Sequence, residues 1–365
     1  MGELLKLFVK LGFSGFGGPL AHFAMMEAEA VEGRKWLTKE RFLEGWAVCQ
    51  ILPGPASTQL GVYIGYVKGG FFGASVSGLA FVLPGFLIIL TLSALYARYG
   101  TIPQVQGIFY GIGPAVLAII AFSCYRLGTS AITTLPLLGL GIAAFLLTFF
   151  FHMDPVLILV GAGLIGILLS RLPLRGGVAL FTALALPAPT GSWTSTLGTL
   201  SWIFLKAGAF VYGGGYVIIP FVQQEVVERL GWMTVKVFLD GLALGQLTPG
   251  PIVNISAFVG YQVAGVPGAA VGAASVFLPA FAAILLAVKI MDRLREAPSI
   301  KAFLKGVNAA VVGAILGASI PLAQGALVDL PTLAIAIFSF VILWRFKVDT
   351  VYLVLASGLI GLLLH

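Results

Sequence analysis

The sequence predicts an all-α polytopic membrane protein made of two homologous halves, and three observations predict it. The first is composition. Of 365 residues, 59% are hydrophobic and 10% charged, with a mean hydropathy of +1.05, whereas a soluble domain carries roughly 25% charged residues. The second is patterning. Uncharged stretches run 45–67, 69–97, 99–125, 127–153, 207–224 and 241–288, close to or beyond the roughly 20 residues that a helical span needs. The alternating strands of an outer-membrane barrel are absent. The third is an internal repeat. At an offset of 196, Phe8, Lys10, Gly12, Gly17, Gly18, Glu29 and Glu32 meet Phe204, Lys206, Gly208, Gly213, Gly214, Glu225 and Glu228. In the same register Trp36, Thr38, Phe42, Gly45 and Gln50 meet Trp232, Thr234, Phe238, Gly241 and Gln246. One residue is then dropped, and at 195 Pro84, Arg98, Gly111, Pro136 and Asp154 meet Pro279, Arg293, Gly306, Pro331 and Asp349.

Taken in order, the first half opens with an apolar run into Gly15-Phe16-Gly17-Gly18-Pro19. A helical run carrying Glu27, Glu29 and Glu32 follows, and then a basic loop with Arg34, Lys35, Lys39 and Arg41. A broken segment runs to about Tyr66, and long apolar segments cover Phe71–Tyr99 and Ile102–Tyr125. Two more, about Ala131–Phe151 and Pro155–Leu169, complete the half, which Arg171 and Arg175 close. The division expected is a first repeat over 1–175, a linker over 176–198 rich in Pro, Gly, Ser and Thr, and a second repeat over 199–365.

Several function classes fall away. The net charge of +7 comes from residues scattered between apolar runs, where they set orientation; nucleic acid is not an expected partner. Cys49 and Cys124 sit in apolar runs and read as small buried groups. His22, His152 and His365 are scattered and make no metal cluster. Without a His pair, a Cys pair or a nucleotide loop, neither an enzyme nor a cofactor is expected. The first apolar segment recurs from Phe204, so it reads as a structural span and not a signal peptide.

Each broken segment centres on a repeated tripeptide, Gln50-x-x-Pro53-Gly54-Pro55 and Gln246-x-Thr248-Pro249-Gly250-Pro251. Pro-Gly-Pro cannot continue a helix, because proline lacks an N–H and drives its predecessor toward extended backbone. Broken backbone survives in a bilayer only where protein or a watery cavity satisfies it. Paired breaks in two halves point to a transporter's substrate site. A kink met by neighbouring helices is the alternative.

The pattern resembles the chromate ion transporter family over essentially the whole chain. The residues that carry the resemblance are Phe8-x-Lys10-Leu11-Gly12, Gly15-Phe16-Gly17-Gly18-Pro19, Trp36-Leu37 and the first Pro-Gly-Pro motif. In the second half they are Lys206-x-Gly208, Gly213-Gly214-Gly215 and the second Pro-Gly-Pro motif. The resemblance implies a multi-pass transporter of chromate, and of sulfate as a second oxyanion, in a bacterial or archaeal inner membrane. It implies export that confers resistance, although the residues do not show direction. A homodimer is left open.

Charge orients the halves. Loops poor in positive residues in one half are rich in the other: Arg98 stands nearly alone, but its counterpart loop holds Lys289, Arg293, Arg295, Lys301 and Lys305. His152 likewise faces a counterpart with Arg345 and Lys347. Inversion of one half puts both basic sets on the cytoplasmic side. Inversion requires an odd number of crossings per half, so the Pro-Gly-Pro segment is expected to dip in and return, leaving about ten crossings in all. Arg229 and Lys236 then fall outside.

A dianionic oxyanion needs donors that replace its water, and helix N-termini offer N–H groups and positive potential. The candidate backbone donors are Gly17, Gly18, Gly213, Gly214 and the turns Pro53-Gly54-Pro55 and Pro249-Gly250-Pro251. Close helix packing is the other reading of the glycines. Ser14, Gln50, Ser57, Thr58, Gln246, Thr248 and Asn254 are the candidate side-chain donors. Lys10 and Lys206 would add positive charge inside apolar runs, unless Lys10 snorkels to the interface. Glu29, Glu32, Glu225 and Glu228 either pair with basic loop residues or couple transport to protons. An anion channel of the same architecture is the alternative function.

Overall fold

The computed structural model describes residues 1–170, 196–212, 215–288, 297–346 and 348–364. The proposed linker (up to residue 195), Gly213, Gly214, Lys289, Arg293, Arg295 and Lys347 lie outside the described residues. Every regular element described is helical. The first half contains α1 (Gly2–Ser14), α2 (Gly18–Glu27) running into a π-helix (Ala28–Gly33), and α3 (Lys39–Ile51). It continues with α4 (Ala56–Tyr99), α5 (Pro103–Ala131), α6 (Leu135–Phe151) and α7 (Pro155–Leu169). The second half contains α8 (Thr196–Ala209), a 3-10 turn (Gly215–Val217), α9 (Ile218–Gln223), a π-helix (Gln224–Arg229) and α10 (Val235–Gln246). After a 3-10 turn (Ile252–Asn254) come α11 (Ile255–Ala287), α12 (Pro298–Ala326), α13 (Leu330–Phe346) and α14 (Thr350–Leu364).

The sequence repeat is therefore a structural one, down to local detail. The π-helices occupy twin positions. The twins Thr38 and Thr234 each cap a helix, accepting the N–H of Arg41 and of Val237, which satisfies a donor that the helix cannot. Four helical stretches, Ala56–Tyr99, Pro103–Ala131, Ile252–Ala287 and Pro298–Ala326, are long and apolar enough to cross a membrane. Large apolar side chains such as Leu79, Leu135, Leu286 and Phe338 stand exposed, as lipid-facing surfaces require.

The chain reverses inside α4 at Gly69–Gly70 and inside α11 at Ala264–Gly265, where the backbone leaves helical angles. A Cβ placed on Gly65 would strike Ser77 and the Gly73 carbonyl. In a straight helix these positions would be separated by about 1.5 Å per residue, so the legs 56–68 and 71–99 must lie antiparallel. Gly260 against Gly268 repeats the arrangement. Each Pro-Gly-Pro bend is thus followed by a short helical leg, a tight reversal and a long helix, and the reversal at Gly69–Gly70 falls between the segment ending at about Tyr66 and the one starting at Phe71.

The halves interlock. The hairpin α6–α7 packs on α12 of the other half, and α13–α14 packs on α5 of the first. Glycine permits the closest approaches: Gly166 abuts Gly306, and their twins Gly361 and Gly111 abut in the reciprocal contact. Helix α1 lies on α4, α8 on α11, and α4 on α11, so the segments that follow the two bends pack against each other.

Candidate functional site

Each Pro-Gly-Pro turn needs a glycine at its centre, because Gly54 has φ of +117° and Gly250 has φ of +98°, a region that L side chains avoid. The turn frees backbone groups, and the structure shows where they go. Gly54 N–H donates to the Val211 carbonyl at 2.8 Å, and Gly250 N–H donates to the Gly15 carbonyl at 2.7 Å. Gly15 and Val211 are repeat twins, so each bend is tied to the glycine-rich break of the opposite half. Each bend also rests on the opposite long helix. A Cβ on Gly54 would stand 2.5 Å from Cβ of Ala280, and one on Gly85 would stand 2.5 Å from the Pro249 carbonyl and 2.6 Å from Asn254 Nδ2. Gly85 and Ala280 are twins, beside Pro84 and Pro279.

Beyond the bends, α4 begins at Ala56 and the second helical segment at Ile252. The first N–H groups of a helix have no intrahelical partner, and they carry the positive end of its dipole. Buried polar side chains cluster in these first turns. Ser57, Thr58 and Gln59 are buried in one, and Asn254 and Ser256 in the other. Among the described residues, Thr58 Oγ1, Gln59 Oε1, both amide atoms of Asn254 and Ser256 Oγ have no hydrogen-bond partner. Thr58 and Asn254 are twins at the 196 offset. Gln59 Nε2 is used, donating to the Pro53 carbonyl at 2.6 Å. Thr248 Oγ1 donates to the Gly245 carbonyl at 2.8 Å. Gln246 is buried and bonds the Tyr216 hydroxyl at 3.3 Å, while its twin Gln50 is exposed.

The lysines sit elsewhere. Lys206, only 4% exposed along its side chain, bonds Asp154 Oδ2 at 2.8 Å and Glu225 Oε1 at 2.9 Å. Glu225 also meets Arg229 at 3.1 Å. The positive charge that the sequence offers at Lys206 is therefore already matched by two carboxylates. Lys10 is exposed in the second half of α1; it bonds Glu29 at 2.7 Å, and Glu29 also pairs with Arg34. Ser14 is exposed and donates to the Lys10 carbonyl. Glu228 meets His152 at 2.9 Å, and Glu27 meets Lys39 at 3.4 Å. Three of the four candidate coupling carboxylates, Glu29, Glu225 and Glu228, thus have a cationic or imidazole partner. No hydrogen bond or ion pair among the described residues joins Lys10 or Lys206 to either bend. Gly17 and Gly18 have positive φ at the start of α2.

Residue-type reasoning missed Asp154, whose signal was present as the repeated pair Asp154 and Asp349. It also missed Gln59, Ser256 and His22, single polar residues in apolar runs. A surface cleft lined by Lys35, Trp36, Thr38 and Arg41 lies in the basic loop, apart from the bends. Among the described residues no group of His, Cys, Asp and Glu has the arrangement of a metal site.

Comparison with known proteins gives a consistent result. The family model described as chromate transporter matches residues 2–167 and 198–362. The chain is 38% identical over 377 residues to a chromate transport protein of Cupriavidus metallidurans, covering 100% of this chain and 93% of that one. It is 37% identical over 354 residues to a probable chromate transport protein of Synechococcus elongatus, covering 94% and 90%. It is 35% identical over 381 residues to a chromate transport protein of Pseudomonas aeruginosa, covering 98% and 91%. No solved structure matches.

Proposed function

Because this chain belongs to the chromate transporter family, a family of transporters and not of enzymes, we propose that it carries chromate across a membrane and binds it at the two bends. One observation carries the placement: the twins Thr58 and Asn254, each in the first turn after a bend, hold buried polar atoms without partners among the described residues. Such a group costs about 1–3 kcal/mol when left unpaired. A tetrahedral dianion supplies acceptors for the Thr58 hydroxyl, the Asn254 amide and the free N–H groups of both helix starts. The positive dipole ends favour it further. Sulfate has the same shape and charge and belongs to the same reading.

The halves, 1–175 and 199–365, are read as an inverted-topology repeat in a bacterial or archaeal plasma membrane. The segment α3, bend and 56–68 enters and returns, and α10, bend and the first leg of the second half do the same. The α1–α2 segment, 71–99, α5, α6 and α7 then give five crossings per half. The reversal at Gly69–Gly70 supports this count, since it lets the short leg turn back. Export is the direction of transport proposed.

The test is flux into proteoliposomes. Chromate uptake is expected to saturate, to be competed by sulfate and to ignore chloride and nitrate. Flux that rises linearly with chromate and is blocked equally by chloride would establish the channel instead. Comparing inward and outward gradients in right-side-out vesicles reads direction.

A further inference from the structure

The two crossings that tie the bends down are twins but not equals. At one, the Val211 carbonyl accepts Gly54 N–H. At the other, the Gly15 carbonyl accepts Gly250 N–H at 2.7 Å and also His22 Nε2 at 2.9 Å. The twin of His22 is Ile218, so only the first half offers an imidazole there. His22 is 1% exposed. Its ring stands edge-on to Phe81, with centroids 5.2 Å apart. A Cβ on Gly15 would lie 2.8 Å from His22 Nε2, so glycine at 15 admits the ring. A carbonyl can only accept, so Nε2 carries the proton and Nδ1 is a bare acceptor. Nδ1 is buried without a partner among the described residues.

We propose that His22 is a positioning residue for the second bend, and that its protonation strengthens oxyanion binding there. The inference rests on the placement of the oxyanion at the bends. Neutral His22 braces the Gly15 carbonyl that holds Gly250. A proton taken from solvent at Nδ1 makes an imidazolium with a second N–H and a buried charge, which is costly unless it is matched. Among the described residues no hydrogen bond or ion pair joins His22 to a carboxylate. The charged residues of the elements packed on α2 are Glu3, Lys6 and Lys10 on α1, Glu29 and Glu32 on the π-helix, Lys39, Glu40, Arg41 and Glu44 on α3, and Lys68 and Arg98 on α4. Lys10 is bonded to Glu29, Lys39 to Glu27, Lys68 lies over Trp36, and none bonds His22. From the second half Asp349 approaches Gly17, with Oδ2 3.9 Å from the place a Cβ would occupy. A dianion at the bend, linked to the ring through the Gly15 carbonyl and Gly250, is the compensating charge. Coupling is reciprocal: the bound dianion favours the proton, and the proton favours the dianion. The proton returns to solvent when the anion leaves.

The experiment measures chromate affinity of the purified full chain at pH values on both sides of the ordinary imidazole pKa of about 6.5. Wild type is compared with His22→Gln, whose amide donates to Gly15 without titrating. Chromate itself takes up a proton in this range, and comparison at equal pH removes that effect. Wild type is expected to gain about fivefold or more over His22→Gln on the acid side, within the range of coupling energies, and to match it on the alkaline side. Superimposable profiles would overturn the proposal. Should His22→Gln not fold, His22→Ile, which installs the residue of the other crossing and lacks the donor to Gly15, is expected to bind chromate more weakly than wild type at every pH, with the wild-type advantage widening on the acid side; a pH-independent ratio would overturn the proposal. If neither protein binds chromate, the proposed substrate has failed; if wild type binds it and Thr58→Val and Asn254→Leu bind it equally well, the placement at the bends has failed; in either case unfolding midpoints without chromate decide on His22 alone. Acid pH is then expected to destabilise wild type more than the variant, and equal acid dependence overturns the buried switch.

Discussion

Replacing Lys206 by methionine tests the buried ion cluster most directly. The methionine keeps the length and apolar body of the side chain and removes the ammonium. Asp154 and Glu225 then lose bonds of 2.8 and 2.9 Å to a group only 4% exposed. Breaking a buried pair from one side costs about 3–5 kcal/mol. The lower end applies here, because Glu225 keeps Arg229 at 3.1 Å and Asp154 is one-third exposed (33%). We therefore expect a loss of about 3 kcal/mol, read as a lowered midpoint in denaturant unfolding of the detergent-solubilised protein. Glu225→Gln added to Lys206→Met is expected to restore at least about 1 kcal/mol, since a neutral amide no longer needs the cation. The twin change Lys10→Met removes a partner that is 66% exposed and is expected to cost about 0–1 kcal/mol. Equal, small losses at Lys10 and Lys206, with no rescue by Glu225→Gln, would refute the account of the cluster.

Other outcomes follow from the same geometry. Gly65→Ala and its twin Gly260→Ala push a methyl into the facing leg and are each expected to cost about 1–3 kcal/mol in the same unfolding assay. Gly54→Ala meets both a positive φ and Ala280, so it is expected to reduce chromate uptake in proteoliposomes more than the exposed Gly2→Ala, which touches nothing. Cysteines placed at Lys35 and at Arg229 should react with an impermeant maleimide from opposite sides of the membrane; labelling from one side would make the halves parallel.

Much of the fold was legible because the repeat is periodic and nearly free of insertions. Pro53-Gly54-Pro55 and its twin announced breaks that the structure places at matching turns, and the gap between Tyr66 and Phe71 foreshadowed the reversal at Gly69–Gly70. The partners of the breaks were not legible. That Gly54 bonds the carbonyl of Val211, and Gly250 that of Gly15, depends on how the halves cross, which no local pattern encodes. The same holds for Lys206. Its position in an apolar run marked it as notable, but its two carboxylates come from different elements, and Asp154 lies 52 residues away in sequence. His22 carried no signal in the repeat because its twin is apolar. Its place is set by the Gly15 carbonyl, which accepts both His22 and Gly250 across the two halves.

The central claim is that the first turns after the bends hold the oxyanion. The measurement that meets it most directly is equilibrium chromate binding by purified, monodisperse wild type, Thr58→Val and Asn254→Leu. Both substitutions remove polar atoms that have no partner among the described residues, so stability is expected to hold or rise. Each hydrogen bond to a charged ligand is worth about 1.5–3 kcal/mol, so each variant should bind chromate about tenfold or more weakly, and the double variant weaker still. Full chromate affinity in both well-folded variants would contradict the account and would place the oxyanion away from the bends.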